Sequence, residues 1–243
     1  MEFKPRILVV DDNQGLLRLL GELLEEMGAE PCLLTNSVHA AELANRDKFD
    51  GAIVDWKMPE MDGLELTRSI RGSRSNKRIP VVMLTGELTA GALQESFKAG
   101  VNFFLQKPVS VTQLRHLLNA TRGAMLEERR SYQRAPINLR VRLHAGHRQL
   151  YGQCVNLSGS GMLLSLEESL EEDTEVSVEF TLPHSIEPLH FTGRLMRRLD
   201  SAAPGELSGH GVGIEFTNPY ARHRRLVINF VEKTLESLAA ESA

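Results

Sequence analysis

The sequence has few cysteines and lacks both a membrane-spanning run and a signal-peptide pattern. Only two of its 243 residues are cysteines, Cys32 and Cys154, one in each half. No apolar run approaches the roughly 20 residues that cross a bilayer, and a strand pattern begins at residue 6 without a preceding signal-peptide pattern. These absences argue against a disulfide framework and against membrane insertion, and they predict a cytoplasmic protein.

The sequence also lacks a large excess of basic or acidic residues. The net charge is −4, with 15 basic against 16 acidic residues up to position 122 and 13 against 16 beyond it. Neither half therefore has the basic excess of a general nucleic-acid binder. The second half also shows strand patterns rather than a helix-turn-helix, so we expect no DNA-binding output. The length and the apolar content of 42% suit two globular domains.

The first half alternates short apolar runs with helical patterns. The runs at 7–10, 31–34, 52–54, 81–84 and 103–105 are typical of buried strands. Helical spacing follows each run, at 14–27, 37–45, from 63, at 90–99, and from 110 to about 129 with an interruption at Gly123. This order predicts an α/β doubly wound sheet of five parallel strands.

Polar residues stand where four of these strands end. Asp11 and Asp12 follow the first strand, Asp55 the third, Thr85 the fourth and Lys107 the fifth. Because ligands bind outside the carboxyl ends of parallel strands, we expect three carboxylates, a hydroxyl and an ammonium to converge. Three acids so close repel one another unless a hard cation such as Mg²⁺ lies among them. A carboxylate there can also attack phosphorus and form an acyl phosphate.

After about residue 136 the hydrophobic period changes. Apolar and polar residues alternate at 137–143, 176–180 and 213–216, and turn residues separate these stretches. The pattern predicts a separate small antiparallel β-barrel, with a C-terminal amphipathic helix at about 220–239. We therefore predict one domain over 1–122, a linker over 123–136 and a second domain over 137–243.

Two short motifs flank the start of the second domain. Arg130 and Arg134 are four residues apart, a spacing that by itself is also typical of a solvated linker. Asn156, Ser158 and Gly161 lie in a turn between two predicted strands. Their donors and acceptors suit a purine edge, and glycine allows close backbone approach.

The first domain resembles the receiver domain of bacterial two-component response regulators over residues 5–122. The matching pieces are Val9-Val10-Asp11-Asp12, Asp55-x-x-Met58-Pro59-x-Met61-Asp62-Gly63, Leu84-Thr85-Gly86 and Phe104-Leu105-Gln106-Lys107-Pro108. The resemblance implies that Asp55 accepts a phosphoryl group and that Lys107 pairs with it. It also implies Mg²⁺ binding by Asp11, Asp12, Asp55 and the backbone carbonyl of Lys57, and a conformational switch formed by Thr85 and Phe104.

The second domain resembles the PilZ domain, a β-barrel that binds cyclic di-GMP, over residues 127–240. Its signatures R-x-x-x-R and [D/N]-x-S-x-x-G are matched by Arg130 and Arg134 and by Asn156, Ser158 and Gly161. The resemblance implies a ligand site formed by these five residues, with Arg129 positioned to stack on a second guanine. Asn156 keeps the acceptor of an aspartate at its position but lacks the charge.

Together the resemblances predict a response regulator that receives its phosphoryl group from a sensor histidine kinase and binds cyclic di-GMP. Its downstream partner is an unidentified protein, and a homodimer is possible. Two alternatives stay open. The barrel could be an interaction adaptor without nucleotide binding, or the chain could be a Mg²⁺-dependent aspartyl phosphohydrolase. Against the second, Lys57 stands two residues after Asp55, where such an enzyme needs a second acid, so we expect no enzymatic activity.

Overall fold

The structure, a computed structural model, describes residues 3–86, 90–199, 210–217 and 221–241, except for the side chains of 90, 92, 197–199 and 241. The chain divides between Arg129 and Arg130 into two compact units. None of the helices formed by the described residues is long and apolar enough to cross a bilayer.

Five short strands form the parallel sheet of the first unit. They are β1 (Arg6–Val10), β2 (Glu30–Leu34), β3 (Gly51–Asp55), β4 (Val81–Thr85) and β5 (Phe103–Gln106). Their spatial order is β2-β1-β3-β4-β5, which places β1 and β3 side by side. The prediction of a doubly wound five-stranded parallel sheet is confirmed.

Five helices alternate with these strands. They are α1 (Gln14–Glu26), α2 (Ser37–Arg46), α3 (Gly63–Gly72), α4 (Ala90–Ala99) and α5 (Val111–Tyr132). Because successive strand residues point to opposite faces, Ile7 and Val9 pack with α1 and α5, whereas Leu8 and Val10 pack with α2 and α3. The helices that follow β1 and β3 thus lie on opposite faces of the sheet, which opens a crevice between the ends of these two strands.

The second unit is a closed antiparallel barrel. Its strands are β6 (Ala135–Ala145), β7 (Arg148–Ser158), β8 (Gly161–Leu166), β9 (Glu175–Phe180), β10 (Leu189–Leu199) and β11 (His210–Phe216). They close in the order β10-β11-β8-β7-β6-β9. Inside, the rings of Phe180 and Phe216 both stack with the ring of Phe191, at centroid distances of 5.6 and 4.2 Å. The predicted barrel is confirmed.

The predicted C-terminal helix is present as α6 (Ala221–Glu241). Residue 220, where the sequence pattern placed its start, lies outside the described residues. Val227, Ile228 and Val231 are buried, and Val227 and Val231 belong to the core of the barrel. The spacing of these residues puts them on one side of the helix.

The interruption predicted at Gly123 does not occur, since α5 is continuous from Val111 to Tyr132. Most of the predicted linker is therefore the last part of this helix. Gly123 is exposed, and an added Cβ would meet nothing within 4 Å. A single glycine lowers helix stability by only about 1 kcal/mol, which the packing of Leu114, Leu118 and Met125 offsets.

Replacing Gly123 with Ala should stabilise the first unit by about 0.5 to 1 kcal/mol, because alanine loses less backbone entropy in a helix. Urea unfolding of the full chain, followed by circular dichroism, measures the change. Gly28→Ala is the matched control, since its Cβ also meets nothing within 4 Å but its φ is +76°. That variant should lose stability. A loss of stability in Gly123→Ala would contradict the helical assignment.

Candidate functional site

The crevice at the ends of β1 and β3 contains three aspartates. Asp11 follows β1 and is fully buried, Asp55 ends β3 and is 6% exposed, and Asp12 is exposed. One carboxylate oxygen from each lies within 4.8 Å of the others. This is the only group of three or more His, Cys, Asp or Glu side chains at such distances among the described residues. The three carboxylates expected at the strand ends therefore lie together.

Lys107 bridges two of these acids. Its Nζ lies 2.7 Å from Oδ2 of Asp11 and 2.7 Å from Oδ1 of Asp55. The backbone N–H of Asn13 donates to the other oxygen of Asp11 over 2.9 Å. Asp11 is thus held from two sides, and the ammonium of Lys107 lies against the carboxylate of Asp55.

Burial and the contacts of Lys107 shift the pKa values of this cluster in opposite directions. Burial raises the pKa of Asp55 above its usual value, against the hydrogen bond from Lys107, while the charge of Asp11 raises the pKa further. For Lys107, burial alone would lower the pKa, but the hydrogen bonds to Asp11 and Asp55 outweigh it and raise the pKa. One ammonium offsets only part of the charge of three carboxylates. An all-oxygen donor set of this charge fits a hard divalent cation such as Mg²⁺.

The loop after Asp55 folds back tightly on the strand. The N–H of Trp56 donates to the carbonyl of Leu84 over 3.0 Å, and the N–H of Gly63 donates to the carbonyl of Trp56 over 2.9 Å. A Cβ on Gly63 would lie 2.2 Å from the carbonyl oxygen of Asp55, so only glycine fits there. Lys57, whose carbonyl was expected to bind the metal, lies within this closed loop.

Thr85 and Phe104 lie on the neighbouring strands β4 and β5. Thr85 is 4% exposed. The half-buried ring of Phe104 packs edge-on against Phe97 of α4, with centroids 5.5 Å apart and planes at 83°. Phe104 therefore contacts α4 through the exposed ring of Phe97 and also packs against a buried cluster that includes Met83 and Val101.

In the second unit, the two predicted motifs contact each other. Nη1 of Arg134 donates to Oδ1 of Asn156 over 2.6 Å. The register of β7 against β8 shifts between Cys154 and Asn156. The arginine motif and the β7–β8 turn therefore lie at one place on the barrel.

Ser158 and Gly161 build the turn itself. Ser158 is fully buried, and its hydroxyl accepts from the N–H of Gly161 over 3.1 Å and donates to its carbonyl over 2.9 Å. A Cβ on Gly161 would lie 2.2 Å from the carbonyl oxygen of Ile214 in β11. These two motif residues shape the backbone that presents Asn156.

Arg129 and Arg130 are adjacent in α5 but have different partners. Arg129 donates to the carbonyl of Lys4 over 3.0 Å, lies 3.5 Å from Asp50 and covers the ring of Phe3. All these partners belong to the first unit. These contacts hold Arg129 against the first unit and not beside Arg134 and Asn156.

Sequence reasoning missed one residue at this place. Nε of Arg130 lies 2.7 Å from Oε1 of Glu232 in α6. No motif spacing marks Glu232, because the two residues are far apart in the sequence and meet only through the packing of α6 on the barrel.

Two known families match the chain. Residues 7–119 match the response regulator receiver domain, and residues 128–233 match the PilZ domain. Both assignments agree with the resemblances drawn from the motifs.

Individual proteins match mainly the first half. The chain is 36% identical to the chemotaxis protein CheY1 of Helicobacter pylori J99, over 49% of this chain and 97% of that protein. It is 31% identical to the sensor histidine kinase GacS of Pseudomonas protegens, over 70% of this chain but only 19% of that kinase. A similar solved structure is the receiver domain of the sensor histidine kinase PA1611 from Pseudomonas aeruginosa, with a magnesium ion coordinated in its active-site cleft. It is 28% identical to this chain, with a TM-score of 0.47, and the match covers 50% of this chain and 99% of that one.

Proposed function

The chain belongs to the response regulator receiver family and carries a PilZ domain behind its receiver, and on this premise we propose that it is phosphorylated on Asp55 and binds cyclic di-GMP. The observation that carries the first part is the cluster of Asp11, Asp12 and Asp55 with Lys107 at 2.7 Å from Asp55. We further propose that the chain relays both signals to a downstream protein.

Phosphorylation requires Asp55 to act as the nucleophile. One carboxylate oxygen attacks phosphorus, the bond between phosphorus and the donor breaks, and the donor atom keeps the electron pair. Asp11, Asp12, Asp55 and the Lys57 carbonyl would hold Mg²⁺, which when bound neutralises charge on the phosphoryl oxygens. Lys107 already lies against Asp55 and would pair with one of those oxygens as a point charge.

The proposed response to phosphorylation involves Thr85 and Phe104. The added group brings about 1.5 to 2 negative charges and three acceptor oxygens next to β4. The hydroxyl of Thr85 would donate a hydrogen bond to one of these oxygens. Its movement would free space for the ring of Phe104, which would then lose its contact with Phe97. Such a local charge change biases a two-state element.

Cyclic di-GMP fits the chemistry of the second site. Its phosphates and the N7 and O6 atoms of its guanines accept bidentate hydrogen bonds from guanidinium groups. We propose Arg130, Arg134 and Asn156 as direct contacts, with Ser158 and Gly161 holding the turn. To contact a second guanine, as we also propose, Arg129 must give up its contacts with Lys4 and Asp50.

We propose a sensor histidine kinase as the phosphodonor and a second copy of the chain as a possible partner in a homodimer. We also propose that the protein is cytoplasmic, that it does not bind DNA and that it does not insert into a membrane. Receiver and PilZ domains are not catalytic families, and we propose that the chain is not an enzyme. Steady turnover of a small phosphomonoester would instead support the phosphohydrolase alternative.

One experiment tests both inputs. The full chain is incubated with acetyl phosphate and Mg²⁺, with EDTA as the metal-free control, and phosphorylation is followed by mass spectrometry. Calorimetric titration with cyclic di-GMP, with GMP as the control ligand, follows with and without the phosphoryl mimic beryllofluoride. We expect Mg²⁺-dependent phosphorylation and specific binding. Coupling requires the ligand affinity to change with the mimic, and equal affinities would exclude it.

A second candidate is an adaptor whose barrel binds no nucleotide. It is favoured by the internal contacts of Arg130 with Glu232 and of Arg134 with Asn156, which give each motif arginine a partner within the domain. The titration decides between the two: absence of binding at micromolar cyclic di-GMP would leave the adaptor.

A further inference from the structure

Helix α6 touches both elements of the nucleotide site. A Cβ on Gly159, inside the β7–β8 turn, would lie 2.6 Å from Cγ1 of Ile228, so the backbone of the turn packs closely against this side chain. Glu232, four residues further along α6, contacts Arg130. Residues four apart lie on the same side of a helix, one turn from each other. One side of α6 therefore bears on the turn and on the arginine motif.

The contact of Glu232 with Arg130 involves the inner nitrogen of the guanidinium. Oε1 of Glu232 lies 2.7 Å from Nε. The guanidinium is planar and carries five N–H donors in a fixed fork. Holding Nε therefore restricts the directions of the terminal nitrogens Nη1 and Nη2, which are the atoms that form bidentate bonds with phosphate or a guanine edge.

We propose that Glu232 is a positioning residue of the nucleotide site. Its carboxylate orders the Arg130 side chain before the ligand arrives, and Ile228 on the same side of α6 supports the turn that presents Asn156. An unordered arginine loses rotamer freedom on binding, and preorganisation removes part of that cost. The inference rests on the proposed binding of cyclic di-GMP.

A competing role for Glu232 predicts a change of ligand affinity in the opposite direction. If Glu232 acted as an internal substitute for the phosphate, its removal would release Arg130 and tighten binding. The two side chains are 47% and 28% exposed, so the pair itself contributes little to fold stability. Changes at Glu232 should therefore appear in ligand affinity rather than in the unfolding of the barrel.

The test is calorimetric titration of full-length variants with cyclic di-GMP. Glu232→Ala should weaken binding about 3- to 10-fold, the range expected for one disordered side chain, and Glu232→Gln, which keeps an acceptor, should weaken it less. In an Arg130→Ala background the change at Glu232 should have no further effect, because Glu232 acts through Arg130. Glu236→Ala, at an exposed carboxylate one turn further on, is the matched control and should bind as the wild type does.

Three results would overturn the proposal: unchanged or tighter binding by Glu232→Ala, an equal loss in the Arg130→Ala background, or an equal loss in Glu236→Ala. Thermal unfolding of each variant identifies any loss that comes from the fold. If the wild type binds no cyclic di-GMP, the proposed function fails as well. If the wild type binds and only the Glu232 series disagrees, the positioning role alone is wrong.

Discussion

Asp55→Asn should abolish phosphorylation of the chain by acetyl phosphate. The amide oxygen is a poor nucleophile. Asp11, the other carboxylate that contacts Lys107, cannot replace Asp55, because it is fully buried and its second oxygen accepts from the backbone N–H of Asn13. The fold should survive, because burial already disfavours the charged form of Asp55 and raises its pKa. Intact-mass spectrometry with and without the donor gives the fraction phosphorylated.

The matched control for this variant is Asp173→Asn in the second unit. Asp173 is exposed and has a φ of 62°, a conformation that asparagine adopts as readily as aspartate. This variant should be phosphorylated to the wild-type level. Full phosphorylation of Asp55→Asn would show that another residue accepts the group, and equal loss in both variants would show that the effect is not specific to the site.

Arg134→Ala should weaken cyclic di-GMP binding by about 1 to 3 kcal/mol, the usual worth of charge-assisted hydrogen bonds. That loss corresponds to about 5- to 150-fold in Kd. The variant removes the donor to the ligand and also the 2.6 Å contact that holds Asn156. Arg134→Lys should recover little, because an ammonium cannot form the planar bidentate fork. Isothermal titration calorimetry measures each affinity.

Arg140→Ala provides the matched control for the arginine. Arg140 is also exposed on the barrel, on β6, with its guanidinium over the ring of Tyr151 at 4.8 Å. Its removal takes away the same charge but no motif contact, so affinity should stay at the wild-type value. An equal loss of affinity in Arg140→Ala would show that Arg134 acts only through its charge. Unchanged binding by Arg134→Ala would show that Arg134 does not contact the ligand.

Much of the aspartate cluster in the first unit was accessible from sequence. Asp11, Asp55, Thr85 and Lys107 each follow or end an apolar run, and parallel strands bring their carboxyl ends to one edge. The requirement for glycine at position 63 was not accessible from sequence. It follows from the fold, in which a Cβ at this position would lie only 2.2 Å from the carbonyl oxygen of Asp55. The break expected at Gly123 was wrong because local propensity is weaker than the packing of α5 on the sheet.

Hydrophobic period and motif spacing are local properties of the chain, and they were enough to predict the two folds, the order of the domains and the residue types of both sites. The tertiary structure alone decided which partner each arginine has. Arg129 contacts Lys4 and Asp50, whereas its neighbour Arg130 contacts Glu232. Adjacent residues of a helix point about 100° apart, so the partner of each side chain follows from the residues folded beside it in its own unit and not from the motif.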